Sequence, residues 1–286
     1  MLIPADIPLH ARPEFRKNYS ALTKGTDRLF LFAADHKIEH LDQDFHGTGI
    51  DLAAHHPTHL FAIAQQKSIG GFATQLGLVA RYGSYFDTVH YIIKLNSKTN
   101  LINSDFKDPF SKQLWSVDDV ISFKKTSKLL VCGVGLTVYI GSLDEDRMLA
   151  QAAQTIYQAH QQGLVTVLWM YPRGKSVLSE HTGSLLAGAA GIANALGADF
   201  VKIQPPEAEN YEHLKAQLEL ISQAAGTTKV LYAGGEKHSS EKLFHDIQLQ
   251  LSSGSSGVAI GRNIYQNPLK EALELCQSIS DLVYTV

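Results

Sequence analysis

Short runs of continuous apolar residues, the pattern of a strand covered on both faces, recur along this chain between longer stretches of helical spacing. The first is Arg28-Leu29-Phe30-Leu31-Phe32-Ala33-Ala34, which ends in the polar cluster Asp35-His36-Lys37-Ile38-Glu39-His40. Further strands are predicted at residues 70–74, 91–96, 133–140, 164–169, 200–203, 229–233 and 257–260. Helical spacing fills the intervals at 55–66, 117–123, 142–162, 185–196, 210–224 and 240–251, with 75–82 as helix or loop and a last helix from near Pro268. Ser142, followed three residues on by Glu145, reads as the N-cap of its helix, and Gly197 as the stop of the Ala/Gly-rich one. Residues 1–26, with a helical stretch at 14–23, read as a cap before the first strand, and 97–114 as a long loop placed to cover a site.

Eight strands alternating with helices, with no break in composition, predict an α/β fold: a single (β/α)8 TIM barrel with an N-terminal helical extension, one domain over residues 1–286. The 44% of hydrophobic residues supports a well-buried core. With 25 Lys+Arg against 28 Asp+Glu, the net charge of -3 leaves no basic field for nucleic acid or an anionic membrane, so any phosphate site is local. Cys132 and Cys276 are not ligand-spaced, which predicts a reducing, cytoplasmic compartment. Charges interrupt the start of the chain, and no run of about 18 apolar residues follows, so a soluble, unexported protein is expected.

In a barrel, chemistry belongs to the loops at the strands' carboxyl ends, where this chain places Asp35, Lys94, Tyr171, Arg173, Lys202, Gly234, Gly235 and Arg262. Lys202, flanked by Phe200, Val201 and Ile203, becomes a nucleophilic amine if it points inward, because desolvation lowers a lysine's pKa. The plainer alternative is a lysine that snorkels outward or pairs with a core acid. Trp169, Tyr171 and Arg173 alternate onto one side of an extended chain, which puts a phenol beside a cation and an apolar wall, or merely closes the barrel's top layer. Gly234-Gly235 after the seventh strand and Gly261-Arg262 after the eighth are placed to bind phosphate, or are ordinary turns. His36-Lys37-Ile38-Glu39-His40 matches an H-x-x-E-H metalloenzyme pattern, yet it follows a strand, and no third ligand stands out among the 13 histidines. Asp35 is a partner for Lys202, a proton acceptor or a helix cap.

Taken in order, Ala34-Asp35-His36 with Glu39-His40, Lys94 to Thr99, Thr137 to Ser142, Trp169 to Gly174, Val201-Lys202-Ile203, Ala233-Gly234-Gly235 and Ala259 to Asn263 resemble the archaeal-type class I fructose-bisphosphate aldolase family, a branch of the Schiff-base aldolases. The resemblance implies that Lys202 forms the Schiff base, that Tyr171 is the general acid/base and that Asp35 supports it. It also implies that Trp169, Arg173 and Lys94 line the substrate pocket and that Gly234, Gly235, Gly261 and Arg262 hold phosphate. The implied reaction is the metal-independent, cofactor-free interconversion of fructose 1,6-bisphosphate with dihydroxyacetone phosphate and glyceraldehyde 3-phosphate, as in glycolysis and gluconeogenesis, by a homo-oligomer of five or ten subunits. Another sugar phosphate, a metal-dependent enzyme built on His36, Glu39 and His40, and a non-catalytic sugar-phosphate binder are the alternatives. In one place the chain departs from the family: where relatives follow the lysine strand with Lys or Asn and then Tyr-Thr-Gly, it has Gln204-Pro205-Pro206-Glu207.

Overall fold

Along the strand Leu29–Ala33 (β1), successive residues go to two different cores. Leu29, Leu31 and Ala33 join a cluster inside a barrel, while Phe30 and Phe32 join a larger one between the barrel and its helices. Both faces are therefore covered, which is why the run carries no polar alternation. The structure, a computed structural model, describes residues 1–35, 38–39, 42–101 and 108–285.

Before β1 runs the helix Arg12–Thr23 (α1), and after it come α2 (Pro57–Ala64), β2 (Gly71–Gln75), α3 (Leu76–Tyr82) and β3 (Tyr91–Lys94). A two-residue antiparallel ribbon follows, β4 (Asn96–Ser97) with β5 (Lys112–Gln113). Then come α4 (Val117–Ser127), β6 (Val131–Ile140), α5 (Glu145–Gln161), β7 (Val165–Pro172), α6 (Gly183–Ala195), β8 (Phe200–Ile203), α7 (Tyr211–Ala224), β9 (Lys229–Ala233), α8 (Ser240–Ser252), β10 (Gly257–Ile260), α9 (Arg262–Tyr265) and α10 (Leu269–Tyr284). The long strands close in the order β1-β10-β9-β8-β7-β6-β3-β2, every pair parallel, so the expected (β/α)8 barrel is the fold.

The barrel's amino end is filled by α1. Its Phe15, Tyr19 and Leu22, with Ile7 and Ala11 ahead of it, belong to the same inner cluster as Val165, Val167, Phe200 and Leu231. Tyr19 stacks on Phe200 with ring centroids 5.6 Å apart. Each large apolar side chain removed from water this way stabilises by about 1.5–3 kcal/mol. The other end of the barrel is left to polar side chains.

Three local expectations are corrected. Ser142 does not cap α5: its hydroxyl donates to the Pro109 carbonyl at 2.7 Å, and the helix begins only at Glu145, with Asp144 as N-cap and no side-chain cap bond. β7 runs on to Pro172, so Tyr171 lies on the strand itself rather than beyond it. After β10 the chain turns at once into the short helix α9, which was not anticipated.

Candidate active site

The polar end of the barrel is a cavity of about 160 Å³ that all ten sequence-predicted site residues line: Asp35, Lys94, Trp169, Tyr171, Arg173, Lys202, Gly234, Gly235, Gly261 and Arg262. Strand register explains the convergence. Trp169 on β7 pairs with Lys202 on β8, so the two side chains emerge on the same inward face at the same height. The Lys202 Nζ lies 5.8 Å from the centre of the Trp169 ring. Room for that ring comes from Gly135 on β6, where any Cβ would collide with it.

Burial, above all, drives the Lys202 amine down to about 8, and the positive charge of Lys94 pushes in the same direction. Glu39 and Asp35 oppose the shift. Near neutral pH roughly a tenth of Lys202 is thus uncharged and nucleophilic, far more than an ordinary lysine would supply. Lys94 itself is only 2% exposed and fully engaged. Its ammonium donates to both carboxylate oxygens of Glu39 at 3.1 Å and to the Thr137 hydroxyl at 2.8 Å, and it lies 4.7 Å above the Trp169 ring. Ser97 adds a third donor to Glu39 at 3.1 Å, and Asn100 holds the Glu39 carbonyl at 3.0 Å. Asp35 is 6% exposed at the end of β1.

Tyr171 stacks against Tyr139, which follows from their register across β6 and β7, with centroids 6.4 Å apart. Burial first, then the charge of Glu39, raises the Tyr171 hydroxyl well above its ordinary range, so it stays protonated and able to donate. The Arg173 guanidinium is 5.8 Å from each of the two rings. Its Nε and Nη2 donate to the two oxygens of Glu180 at 2.6 and 2.5 Å. Beyond β8, on the rim formed by β9 and β10, Gly261 is the N-cap of α9, and Gly235 has φ +66, a conformation that favours glycine. Asn263 fastens these two loops together by donating to the Gly234 and Glu236 carbonyls at 2.8 and 2.9 Å while its Oδ1 accepts from His238 at 2.8 Å. Arg262 faces Asp44 at 3.5 Å.

The sequence reading places Glu39 in a metal pattern and in a family motif, and quotes Thr137, Tyr139 and Gln204 without giving them a site role, whereas Asn100 and Glu180 are not singled out. Tyr139 closes an apolar run at the same level as Tyr171, a signal that strand alignment carries. In the metal pattern, His36 and His40 lie outside the described residues, and Glu39 is the counter-ion of Lys94. Among the described residues no group of three His, Cys, Asp or Glu side chains is placed to hold a metal ion. In the atypical stretch after Lys202, Gln204 lines the cavity while the Pro205 carbonyl meets His181 Nδ1 at 2.9 Å, and the Glu207 amide donates to the His181 carbonyl at 3.1 Å.

A closed barrel whose carboxyl end holds a desolvated lysine, a protonated tyrosine and two cationic rims has the equipment of an imine-forming carbon–carbon lyase. The chain belongs to the DeoC/LacD family of aldolases, whose model matches residues 29–267, and is thus an enzyme of the lyase class. It is 46% identical over 278 residues, 97% of its own length and 88% of the relative's, to the Methanocaldococcus jannaschii protein named fructose-bisphosphate aldolase/6-deoxy-5-ketofructose 1-phosphate synthase. The solved structure of a fructose-bisphosphate aldolase from Slackia heliotrinireducens matches with a TM-score of 0.96 at 44% identity, over 100% of this chain and 90% of that one. An archaeal fructose-1,6-bisphosphate aldolase, solved with its catalytic lysine covalently bound to the carbinolamine intermediate, matches at 29% identity and a TM-score of 0.79, over 94% of this chain and 99% of that one. The resemblance read from the ordered motifs is therefore to the right family.

Proposed function

We propose that the protein is a class I aldolase that cleaves and forms the C3–C4 bond of fructose 1,6-bisphosphate through a Schiff base on Lys202, with dihydroxyacetone phosphate and glyceraldehyde 3-phosphate as the three-carbon partners. The observation that carries this reading is the pairing, in one cavity, of an amine lowered to about 8 with a tyrosine held protonated. The neutral Lys202 amine attacks the C2 ketone, the carbinolamine loses water, and the resulting iminium withdraws electrons from C3. A base takes the C4 hydroxyl proton, the C3–C4 electron pair moves into the iminium to give an enamine, and the aldehyde leaves. Protonation at C3 and hydrolysis then release the ketone phosphate and free the amine.

Tyr171 is the group assigned to these proton transfers, with Asp35 supporting it. Arg173 beside the phenol favours transient loss of its proton. Trp169 forms the apolar wall, and Lys94 is a fixed cation that disfavours protonation of Lys202. Gly234, Gly235, Gly261 and Arg262 hold a phosphate through backbone N–H groups and one guanidinium, at the rim where barrels of this kind bind phosphate. Because the iminium is the electron sink, this route uses no metal or organic cofactor. Among the described residues no helix is long and apolar enough to cross a membrane, in keeping with a cytoplasmic enzyme. A homo-oligomer of five or ten subunits completes the reading by resemblance to the family.

Reduction with borohydride in the presence of dihydroxyacetone phosphate tests it. The expected result is a stable covalent adduct mapped to Lys202 by peptide mass spectrometry, and a panel of ketose phosphates then ranks the substrates by trapping and turnover. A folded protein that yields no adduct, or an adduct on another lysine, overturns the mechanism.

A further inference from the structure

Each of the cavity's two cationic rims has a carboxylate partner, and the two are held differently. At the β9–β10 rim, Gly234, Gly235 and Gly261 line the cavity, and Arg262 beside them meets the Asp44 carboxylate at the longer distance of 3.5 Å. At the β7 rim, Arg173 already holds an anion. Nε and Nη2 form one edge of its guanidinium, the edge that grips a phosphate or carboxylate through two parallel bonds, and Glu180 occupies both donors. A second cation is close by: Lys98 has its ammonium pKa lowered by burial and, next, by the charge of Arg173.

Glu180 is not on a free arm. The next residue, His181, is fastened through Nδ1 to the Pro205 carbonyl and through its own carbonyl to the Glu207 amide, and Thr182 donates to the Ser179 carbonyl at 3.2 Å. The stretch that fastens it, Gln204-Pro205-Pro206-Glu207, is the one that departs from the family pattern. Yet the pair itself is 39% and 35% exposed, so a dianion can compete for the fork without uncovering a buried charge.

Building on the aldolase reading, we infer that Glu180 is a specificity-determining residue: a built-in anion that holds the fork of Arg173 and weakens selection for a phosphate at the substrate end remote from the Gly234–Gly261 rim. A ketose bisphosphate must displace the carboxylate to engage Arg173 bidentately. A ketose 1-phosphate with an uncharged far end, or the uncharged aldehyde that would form one, leaves the pair intact. The site therefore accepts both classes, with less preference for the bisphosphate than an unoccupied arginine would give.

The test is steady-state kinetics of the full chain and of Glu180→Gln and Glu180→Asp on fructose 1,6-bisphosphate and fructose 1-phosphate. Glu180→Gln is expected to lower KM for the bisphosphate about fivefold, the scale of one exposed ion pair, and to move KM for the monophosphate much less. Glu180→Asp, which keeps the charge, should retain most of the wild-type ratio. An equal change for both substrates, or a higher KM for the bisphosphate, overturns the inference and makes Glu180 only a support for Arg173. Borohydride trapping on the same samples separates the two readings. An unchanged KM ratio with trapping intact removes the role of Glu180 alone, whereas no trapping in the wild type removes the aldolase reading and this inference with it.

Discussion

The barrel buries charge at both ends, and the two ends use it differently. At the amino end His160, wholly buried, is clamped between carboxylates: Nδ1 on Asp6 at 2.7 Å and Nε2 on Asp199 at 3.2 Å. Asp199 also accepts from the Thr166 amide and hydroxyl at 2.8 and 2.9 Å. Both ring nitrogens face carboxylates, an arrangement that favours the doubly protonated, cationic ring. At the carboxyl end Lys94 is just as well paired, but Lys202 has a ring, a cation and a cavity around it and, among the described residues, no counter-ion at bonding distance. Burial opposes charge in both places. Around His160 the hydrogen bonds and charge of Asp199, then of Asp6, outweigh it and raise the pKa, whereas around Lys202 burial prevails. One network joins the N-terminal segment, α5, β7 and β8 together, and the other leaves an amine ready to react.

The largest effect should come from the reactive end. Lys202→Met removes the nucleophile, and turnover should fall by roughly three orders of magnitude or more, as it does when a nucleophile that works as part of a unit is deleted. The melting temperature should hold or rise, because a desolvated buried amine is replaced by an apolar chain of similar length. Wild-type kcat/KM should climb with pH through about 8 as Lys202 loses its proton. Stability linkage runs the same way. The folded pKa lies below the unfolded value of 10.5, so the unfolded chain binds more protons between the two, and stability contributed at this site increases as pH rises from about 8 to 10.5. A variant with residual Schiff-base trapping, or a flat pH profile, would break the contrast between the two ends.

Much of this end was legible in the chain. Phe200–Ile203, Lys229–Ala233 and Gly257–Ile260 form strands at the expected positions because their apolar runs are short and bounded by turn residues. Strand parity then brings Trp169, Tyr171 and Lys202 to one cavity. The roles of Glu39, Tyr139 and Glu180 were not legible because they lie in pairings made after folding. Glu39 meets Lys94 across 55 residues and Thr137 across 98, and no periodicity encodes that. Helix α9 is four residues long, too short to show a helical repeat. Ser142 and Glu145 carry a local capping pattern, but tertiary contact overrides it: the hydroxyl is used on Pro109.

At the amino end the expected effect is on stability. His160→Ala leaves Asp199 and Asp6 buried or half-buried without their cation, and should cost about 3–5 kcal/mol, read as a lower urea midpoint. Turnover at temperatures where the variant is folded should be close to wild type. The pKa of His160 is raised on folding, so its stabilisation is complete below the unfolded value of 6.5 and is lost as pH rises through the folded value. The wild-type melting temperature should therefore decline over that window, and the decline attributable to this site should vanish in His160→Ala. If the variant loses turnover without losing stability, the two networks are not separable and the division of labour is wrong.

The finest test is within the carboxyl end, where Lys94 and Glu39 act on Lys202 in opposite directions. Lys94 lowers the pKa of the nucleophile and Glu39 raises it. Removing the acid with Glu39→Gln should move the rising limb of the kcat/KM profile to lower pH, because Lys94 then acts without its counter-ion. Removing the cation with Lys94→Met should move it to higher pH, because the carboxylate is left facing the amine. Shifts of about half a unit to one unit are the scale expected of charges within a partly solvated protein. Opposite signs are the signature of an electrostatic role, since a merely structural pair would lose rate in both variants with the limb unmoved. Shifts in the same direction would mean that the Lys94–Glu39 pair shapes the cavity rather than the charge state of Lys202.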